Sequence, residues 1–357
     1  MPSKQLKVVA LDHGNVFVKG YAGTSTKPLL LPNQFVRKDL LVPDSFFKSR
    51  LILHEYTSNK YEDEVWLWGE DIYKALNPIN TYTTQDRYQQ KPYKLLTEFS
   101  LSELCEDGDE LLVVTGLPSS QKGSPYEKDL RKTIDGAHVV TKNDEEKIFK
   151  VRELETLTQP LGTLMYVYLD DNGNVQDGDV REEYIGVIDI GGGTLDLDGI
   201  RGLDAVKDDR ATVNAGMYSV YQNIADYINH ENPEAGATAK QVEFQILGSN
   251  PDSYRISKRA SIDIGKIKDK LFKAYAEDAI PQINQRWTNR SKFDRIYMTG
   301  GAAKPLAPYF KEWEKDIVII EDVPQSTPLQ NITNINQMAN VIGFYRYGVL
   351  LSGAMDE

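Results

Sequence analysis

The sequence predicts a mixed α/β protein of about two domains. Its 357 residues are about twice the usual length of one domain. Short apolar segments typical of buried strands end at Asp12 and again at Asp189, and a second strand pattern follows each of them within a few residues. Helical patterns dominate the end of each half, as in the amphipathic residues 217–230. Strands that precede helices twice along the chain indicate two α/β units.

The individual elements follow from apolar patterning and from the turn residues that close each pattern. Apolar or alternating segments predict strands at residues 6–11, 16–19, 65–68, 111–114, 147–151, 184–188, 195–197 and 295–298. Helical spacing predicts helices at residues 93–105, 160–167, 217–230, 262–287, after 302 through 313, and 336–351. We expect Trp66 and Trp68, which share one strand face, to make packing or protomer contacts rather than to bind a cofactor.

Composition excludes several classes of protein. Hydrophobic residues make up 40% of the chain, which is enough for a large core and excludes disorder as the main state. The net charge of −12 argues against direct, non-specific nucleic-acid binding. A single cysteine, Cys105, allows no disulfide within the chain and no cysteine-based zinc site. No signal-peptide core and no apolar stretch of about 20 residues is present, so we expect a soluble, cytoplasmic protein without membrane contacts.

The two Asp-x-Gly hairpins have the chemistry of a phosphate and metal site. Glycines at positions 14 and 191 allow backbone N–H groups to approach an anion closely. Asp12 and Asp189, each at the end of a buried strand, are placed to hold a hydrated Mg²⁺. Two such hairpins facing each other would clamp a polyphosphate and its metal. The alternative for either hairpin alone is an ordinary turn.

Two further glycine motifs need separate interpretation. Residues 263–265 repeat the letters Asp-Ile-Gly, but they lie in a polar stretch that predicts a helix with no apolar strand before it, so we interpret them as a chance match. Gly300 and Gly301 follow a strand and open a helix, where free N–H groups favour a phosphate or a nucleotide ring. A purely structural glycine turn is the alternative there.

Taken together, these motifs resemble the actin-like ATPase superfamily, which includes actin, the bacterial actins, DnaK-type chaperones and sugar kinases. Five signatures occur in order: the first phosphate hairpin at residues 12–19, a connecting helix at 159–163, the second phosphate hairpin at 188–196, the adenosine motif at 299–303 and a second connecting helix at 339–343. The first hairpin departs from actins at Asn15, where actins usually have Ser or Thr.

The resemblance implies an actin-like fold, in which two RNase H-like domains, each a mixed five-stranded sheet with flanking helices, surround a nucleotide cleft. Domain I would comprise residues 1–160 with 334–357, and domain II residues 161–333. The compact length leaves no room for a chaperone's peptide-binding domain. The local features at residues 31–34, 115–119 and 213–216 resemble ParM-type plasmid-segregating bacterial actins most.

The ParM-type resemblance implies a cytoskeletal filament that assembles with nucleotide and moves plasmid DNA during partition. The protein would bind Mg²⁺ and hydrolyse ATP or GTP. Because the chain is acidic, it would grip DNA through a small basic DNA-binding adaptor protein, similar to ParR, and not directly. Two alternatives stay open: a small-molecule kinase of the same superfamily, with Asp196 as its base, and a non-plasmid bacterial actin of cytoskeletal or phage origin.

The resemblance also implies roles for individual residues. Asp12 and Asp189 would order the waters around Mg²⁺, Lys19 would contact a phosphate oxygen, and Gln159 would orient the attacking water. The remaining nucleotide-binding positions are Gly14, Asn15, Gly191, Gly192, Gly193 and Thr194 at the phosphates, Gly216 near the ribose, Lys240 and Glu243 at the base or ribose, and Gly300, Gly301 and Ala302 at the nucleoside.

Several of these positions have a structural alternative. Lys19 would otherwise be a solvated strand residue, and Gln159 and Gly216 would be helix-start residues. For Lys240 and Glu243 an exposed salt bridge one helical turn apart is the interpretation that we favour over base contact. His13 lies between two functional positions, and its side chain is expected to point away from the phosphates. The four histidines in the chain give no support to a histidine metal cluster.

Overall fold

The computed structural model describes residues 6–40, 51–61, 64–75, 78–81, 86–118, 121–248, 250–257, 259–326, 329, 332 and 334–355. The chain divides into two compact units. The first comprises Met1–Gln176, Gln325–Ile332 and Asn340–Glu357, and the second comprises Asp177–Pro324 and Thr333–Ala339. The domain boundaries expected from the family resemblance, with a break at residues 160–161, remain a prediction.

The first unit is built on one mixed sheet. Its strands are β1 (Lys7–His13), β2 (Phe17–Tyr21), β3 (Leu29–Pro32), β4 (Gln34–Arg37), β5 (His54–Ser58), β6 (Trp66–Trp68), β7 (Ile79–Asn80), β8 (Glu110–Leu117), β9 (Gly136–Lys142) and β10 (Glu145–Thr158). The order across the sheet is β3-β2-β1-β8-β10-β9-β5-β6-β4-β7. The central strands β1, β8 and β10 run parallel, and the other pairings are antiparallel. The sheet therefore continues beyond the five strands of the family core.

Three helices and a long apolar core complete this part of the first unit. The helices are α1 (Lys91–Leu104), α2 (Pro125–Ile134) and α3 (Gln159–Tyr168). Ten of the fourteen residues of α1 are buried, because its Tyr, Leu and Phe side chains pack on the sheet. Trp66 and Trp68 are both buried, and Trp68 Nε1 donates a hydrogen bond to the Pro32 carbonyl oxygen at 2.8 Å. The expected packing role of these two tryptophans is confirmed.

The second unit has a five-stranded mixed sheet and its own core. The strands β11 (Tyr184–Ile190), β12 (Leu195–Arg201), β13 (Asp204–Val213), β16 (Arg295–Thr299) and β17 (Val318–Ile319) lie in the order β13-β12-β11-β16-β17. A separate hairpin contains β14 (Ser253–Arg255) and β15 (Ser261–Asp263). The helices are α4 (Tyr218–Glu231), α5 (Ala239–Ile246), α6 (Gly265–Arg286) and α7 (Ala303–Trp313). Their apolar faces bury the sheet in one continuous cluster.

The helix predicted over residues 262–287 begins later than expected. Residues 261–263 form β15, and α6 starts at Gly265, whose N–H donates to Asp263 Oδ1 at 2.9 Å. The expectation of a helix at residues 262 and 263 was wrong. β15 is nonetheless short and largely exposed, and it lies outside the five-stranded sheet, so Asp263 does not end a buried strand. The motif at 263–265 closes a surface hairpin and starts a helix.

The last helix, α8 (Ile335–Met355), continues into the first unit from Asn340 onward. It crosses α3 at very short range, because a Cβ atom on Gly343 would lie 1.8 Å from the Gly162 carbonyl oxygen. Thr163 Oγ1 donates to Asn340 Oδ1 at 2.5 Å in the same crossing. None of the helices among the described residues combines the length and apolar character that crossing a bilayer requires.

Replacing Gly343 by alanine should lower the free energy of unfolding by about 3 kcal/mol, because the new methyl group overlaps backbone atoms that cannot move without separating the two helices. Gly353→Ala, in the same helix, is the matched control, since a Cβ atom there meets nothing within 4 Å. Equilibrium denaturation of both variants measures the difference. Equal stability of the two variants would show that the α3–α8 crossing can relax.

Candidate functional site

The first hairpin, residues 12–19, forms as the sequence predicted. β1 and β2 pair antiparallel, and Asp12 lies directly opposite Lys19. The loop between them is closed by the Gly14 N–H, which donates to the Phe17 carbonyl oxygen at 3.0 Å. A Cβ atom on Gly14 would lie 3.0 Å from that same oxygen, so the tight turn favours glycine.

Asp12 brings three of the expected site residues together. Lys19 Nζ lies 2.8 Å from Asp12 Oδ2, and Gln159 Nε2 donates to Asp12 Oδ1 at 3.2 Å. The Asp12 side chain is 1% exposed and that of Lys19 is 16% exposed. Lys19 is therefore an ion-paired, mostly buried cation, which contradicts the alternative of a solvated strand residue. Gln159 begins α3, but its amide also contacts Asp12, so it is more than a helix-start residue.

The electrostatics of this cluster keep Asp12 ionised. Burial by itself would raise the pKa of the carboxyl group, because the charged form loses hydration. The charge of Lys19 and the hydrogen bonds from Lys19 and Gln159 outweigh burial, so the pKa of Asp12 lies below its ordinary value of 3.8. A buried carboxylate that is charged at neutral pH suits a role in holding a hydrated cation.

Gly116 makes room for Gln159. A Cβ atom at position 116 would lie 2.4 Å from Phe344 Cζ in α8 and 3.3 Å from Gln159 Cγ. The sequence showed Gly116 only as part of a motif, and nothing local pointed to these two neighbours. The absence of a side chain at position 116 thus leaves room for Phe344 and for the side chain of Gln159.

His13 belongs to the core and not to the charged cluster. Its ring packs on Tyr93 with the centroids 4.6 Å apart, and the side chain is buried. Burial and the nearby charge of Arg87 lower the pKa of His13 to about 3. The ring is therefore neutral at physiological pH, and it faces Tyr93 of α1.

The second hairpin, residues 188–196, is held from behind by the start of α4. The Gly191 N–H donates to the Thr194 carbonyl oxygen at 2.9 Å. The carbonyl oxygens of Gly191 and Gly192 accept hydrogen bonds from the Met217 and Tyr218 N–H groups at 3.1 and 2.8 Å. A trans peptide points its C=O and N–H in opposite directions, so the Gly192 and Gly193 N–H groups face away from α4. This arrangement is that of an anion-binding loop.

Gly216 is required by this contact. A Cβ atom there would lie 2.3 Å from the Gly193 carbonyl carbon and 2.4 Å from the Gly192 carbonyl oxygen. Gly216 therefore lets the chain entering α4 touch the glycine loop directly. Gly216 does lie just before α4, as the helix-start alternative proposed. Glycine is needed there because the backbone at position 216 approaches the backbone of the glycine loop closely.

Asp196 braces the second hairpin. It lies opposite Asp189, and it accepts hydrogen bonds from Thr194 Oγ1 at 2.7 Å and from Thr212 Oγ1 at 2.5 Å. Burial raises the pKa of Asp196, and the two hydroxyl groups offset only part of that rise. Both carboxylate oxygens are engaged in bracing, which weakens the case for Asp196 as the base of a small-molecule kinase.

The adenosine motif lies beside Asp189 within the second unit. Asp189 pairs with Thr299 across β11 and β16. Gly300 has a φ of +93°, and a Cβ atom there would lie 2.5 Å from Asp189 Oδ1. The carbonyl oxygen of Asn336 accepts from the Gly300 N–H and from Thr299 Oγ1, both at 3.1 Å. Sequence reasoning missed Asn336, which anchors this turn to α8.

The two remaining motif residues differ in their surroundings. A Cβ atom on Gly301 would lie 3.5 Å from Leu247 Cδ1, just past the end of α5. Ala302 is buried at the start of α7, so its side chain packs in the core. The structure therefore brings Gly301 near the end of α5 and buries Ala302.

Lys240 and Glu243 in α5 are not the exposed salt bridge that we favoured. Glu243 is buried, and Lys240 Nζ is buried without a hydrogen-bond partner among the described residues. Burial lowers the pKa of Lys240 to about 8, against a smaller opposing effect of the Glu243 charge. The exposed interpretation was wrong because α4 covers this face of α5. A charged group kept in such a place is a candidate ligand contact.

Glu243 also lies close to Tyr221 of α4. Burial and then the charge of Glu243 raise the pKa of Tyr221 well above its ordinary value. Tyr275, a further neighbour of Tyr221, donates from its hydroxyl group to the Ala215 carbonyl oxygen at 2.6 Å. The Tyr221 hydroxyl group is itself buried without a hydrogen-bond partner among the described residues, so it is Tyr275 that binds the backbone beside Gly216.

Replacing Lys240 by methionine should stabilise the protein at pH 7. The folded state holds the Lys240 proton only up to about pH 8, whereas the ordinary value is 10.5. Between about pH 8 and pH 10.5 the unfolded chain holds this proton and the folded chain does not, so the free energy of unfolding of the wild type rises as the pH rises. The stability advantage of the variant therefore shrinks over this range. Melting temperatures from pH 7 to 10.5 measure this, with Lys315→Met as the exposed control. A variant that melts lower at pH 7 would contradict the prediction.

Two carboxylates among the described residues have the chemistry to contact a hydrated metal ion. No group of three or more His, Cys, Asp or Glu side chains is placed to hold a metal ion in the described part of the chain. Asp12 and Asp189 each lie one residue before the end of the first strand of a hairpin, and each provides a carboxylate group there. Carboxylate oxygens that meet a hydrated cation are the usual protein partners of Mg²⁺.

Comparison with known proteins assigns the family. A family model of the N-terminal domain of actin-like proteins matches residues 10–162, and a model of the C-terminal domain of the MreB-like archaeal actin homologue matches residues 187–312. No curated protein matches the sequence.

Solved structures share the fold over almost the whole chain. The apo pSK41 ParM protein is 24% identical with a TM-score of 0.76, covering 99% of this chain and 100% of its own. The archaeal actin homologue Ta0583 in complex with ADP is 17% identical with a TM-score of 0.72, covering 95% and 98%. A 15-stranded ParM filament from Clostridium botulinum is 19% identical with a TM-score of 0.68, covering 97% and 99%. With the two domain models in tandem, these matches show that the chain belongs to the actin-like protein superfamily.

Proposed function

We propose that this protein is a filament-forming bacterial actin that segregates plasmid DNA, and that Mg²⁺-dependent hydrolysis of ATP or GTP controls filament turnover. The observation that carries the proposal is the cluster of Asp12, Lys19 and Gln159 at the first hairpin. A carboxylate, an ammonium group and a neutral amide are the set that phosphoryl transfer to water needs for metal holding, charge neutralisation and water positioning.

The chain's own residues divide the work. Lys19 and the outward N–H groups of both hairpins bind phosphate oxygens. Asp12 and Asp189 hold the waters of the cation, and bound Mg²⁺ would neutralise charge on the phosphates. Gln159 orients the attacking water through its amide. Because a neutral amide is a poor base, the rate depends on positioning and on phosphate electrostatics. Gly216, Lys240, Glu243 and the adenosine motif bind the nucleoside.

Filament formation is supported by the solved relatives, among which are a 15-stranded ParM filament and the Alp12 filament. Those names describe the relatives, and self-association of this chain is our proposal. The net charge of −12 supports a protein that reaches DNA through a basic, ParR-like adaptor, and we propose that it does so in the cytoplasm. A bacterial actin with a cytoskeletal or phage cargo would share the same chemistry and differ in that partner.

Light scattering tests the proposal directly. Addition of ATP or GTP with Mg²⁺ to micromolar protein should raise the scattering, and negative-stain micrographs should show filaments only with nucleotide. No rise up to tens of micromolar protein, across several salt concentrations, would contradict filament formation. The neighbouring genes test the cargo. If they encode a small DNA-binding protein beside repeat DNA, filaments should capture the complex of that protein with that DNA, and if they do not, a non-plasmid cargo is favoured.

A further inference from the structure

The loop of the first hairpin is held from behind by Asn33. This residue follows β3 and is 1% exposed. Its backbone N–H donates to the Val16 carbonyl oxygen at 2.8 Å, and its side-chain Nδ2 donates to the Gly14 carbonyl oxygen at 2.6 Å. A single residue, which lies 19 positions after Gly14 in the chain, thus binds two carbonyl groups of one short loop.

The orientation of the Asn33 amide is set by its surroundings. The Gly14 carbonyl oxygen can only accept a hydrogen bond, so Nδ2 must be the amide atom that faces it, and Oδ1 then accepts from Thr81 Oγ1. The preceding peptide is also held, because Trp68 Nε1 donates to the Pro32 carbonyl oxygen at 2.8 Å. A buried amide that is hydrogen-bonded through both its nitrogen and its oxygen has little freedom to flip.

The consequence for the loop follows from peptide geometry. The described residues contain no cis peptide bond, and a trans peptide points its C=O and N–H in opposite directions. Since the Gly14 carbonyl faces Asn33, the N–H of Asn15 in the same peptide faces the opposite side. The Gly14 N–H is already used by Phe17, and no hydrogen bond of the Asn15 N–H is formed within the described residues.

We infer that Asn33 is a positioning residue of the phosphate-binding loop, which aims the Asn15 N–H at a phosphate oxygen of the nucleotide. The inference rests on the proposed function. In the second hairpin, too, donors behind the loop bind its carbonyl oxygens. There the Met217 and Tyr218 N–H groups donate to the carbonyl oxygens of Gly191 and Gly192. In one loop a helix start binds the carbonyls, and in the other a buried side-chain amide does.

The test separates phosphate binding from nucleoside binding. Asn33→Ala removes the Nδ2 donor, and Thr81→Val removes the hydroxyl group that orients it. Each variant should raise the dissociation constant for ATP or GTP, about tenfold for Asn33→Ala and less for Thr81→Val, which corresponds to the loss of about one hydrogen bond. Affinity for adenosine or guanosine should change less than twofold. Calorimetry or fluorescence titration gives both constants.

Controls make the outcome decisive. Asn172→Ala, an exposed asparagine of the same unit, should leave both constants unchanged. If Asn33→Ala does not fold, the nearly isosteric Thr81→Val decides the question. Unchanged triphosphate affinity in Thr81→Val and Asn33→Ala would overturn the inference alone, as would an equal loss of nucleoside and triphosphate affinity. A wild-type protein that binds no nucleotide would overturn the inference together with the proposed function.

Discussion

Replacing Asp189 by asparagine should lower nucleotide hydrolysis roughly 100-fold, because a group that stabilises charge in phosphoryl transfer contributes on this scale. Asparagine keeps the size and one acceptor oxygen of the side chain next to Gly300, but it replaces the other oxygen by a donor and removes the negative charge that would hold the hydrated cation. Asp189→Ala, which also removes the polar atoms, should abolish binding or hydrolysis. Phosphate release in the presence of Mg²⁺ measures the effect.

The control for this variant is Asp208→Asn, which makes the same charge change at an exposed position of β13 in the same unit. It should hydrolyse nucleotide like the wild type. The thermal stability of both variants without nucleotide shows whether the fold is intact. Near-normal phosphate release by Asp189→Asn and Asp189→Ala would refute the role of Asp189 at the metal.

Replacing Gln159 by alanine should slow hydrolysis about 100-fold while nucleotide binding and assembly persist, because misplacing the attacking water affects chemistry more than ground-state binding. Filaments should therefore live longer after nucleotide is added. The Gln159 amide donates to Asp12 Oδ1 at 3.2 Å, whereas Lys19 pairs with the other oxygen, Oδ2. The substitution therefore leaves the Asp12–Lys19 ion pair in place. Phosphate release and the decay of light scattering measure the two effects.

Gln90→Ala provides the comparison, since Gln90 is exposed and its side chain caps no helix N–H. That variant should turn over normally. Normal phosphate release by Gln159→Ala would show that another residue positions the water. A loss of nucleotide affinity in step with the loss of rate would instead assign Gln159 to binding.

Much of the first hairpin could be predicted because its information is local. Asp12 and Lys19 are separated by one short loop, so antiparallel pairing places them opposite each other whatever surrounds them. The same holds for Asp189 and Asp196 in the second hairpin. The glycines mark the turns by their conformational freedom and small size, which are visible in one sequence.

Other features escaped the sequence because they depend on distant partners. A spacing of three residues puts Lys240 and Glu243 on one helix face, but only the packing of α4 decides that this face is buried. The strand at 261–263 is too short to show a period, and its partner at 253–255 forms it. Asn33 lies in the feature at residues 31–34, but that feature does not show its role, which comes from two carbonyl groups far away in the chain.

The sequence by itself determined the two Asp-x-Gly hairpins, the glycine turn at 300 and the α/β class, because strand pairing across a short loop and glycine turns are local properties of the chain. Only the tertiary structure decided that Gln159 donates a hydrogen bond to Asp12, that Asn33 binds the Gly14 carbonyl so that the Asn15 N–H faces the opposite side, and that the Lys240 amine is buried. Each of these requires elements far apart in the chain to pack at atomic contact. Burial and hydrogen-bond direction are set by that packing, and the residue pattern does not contain them.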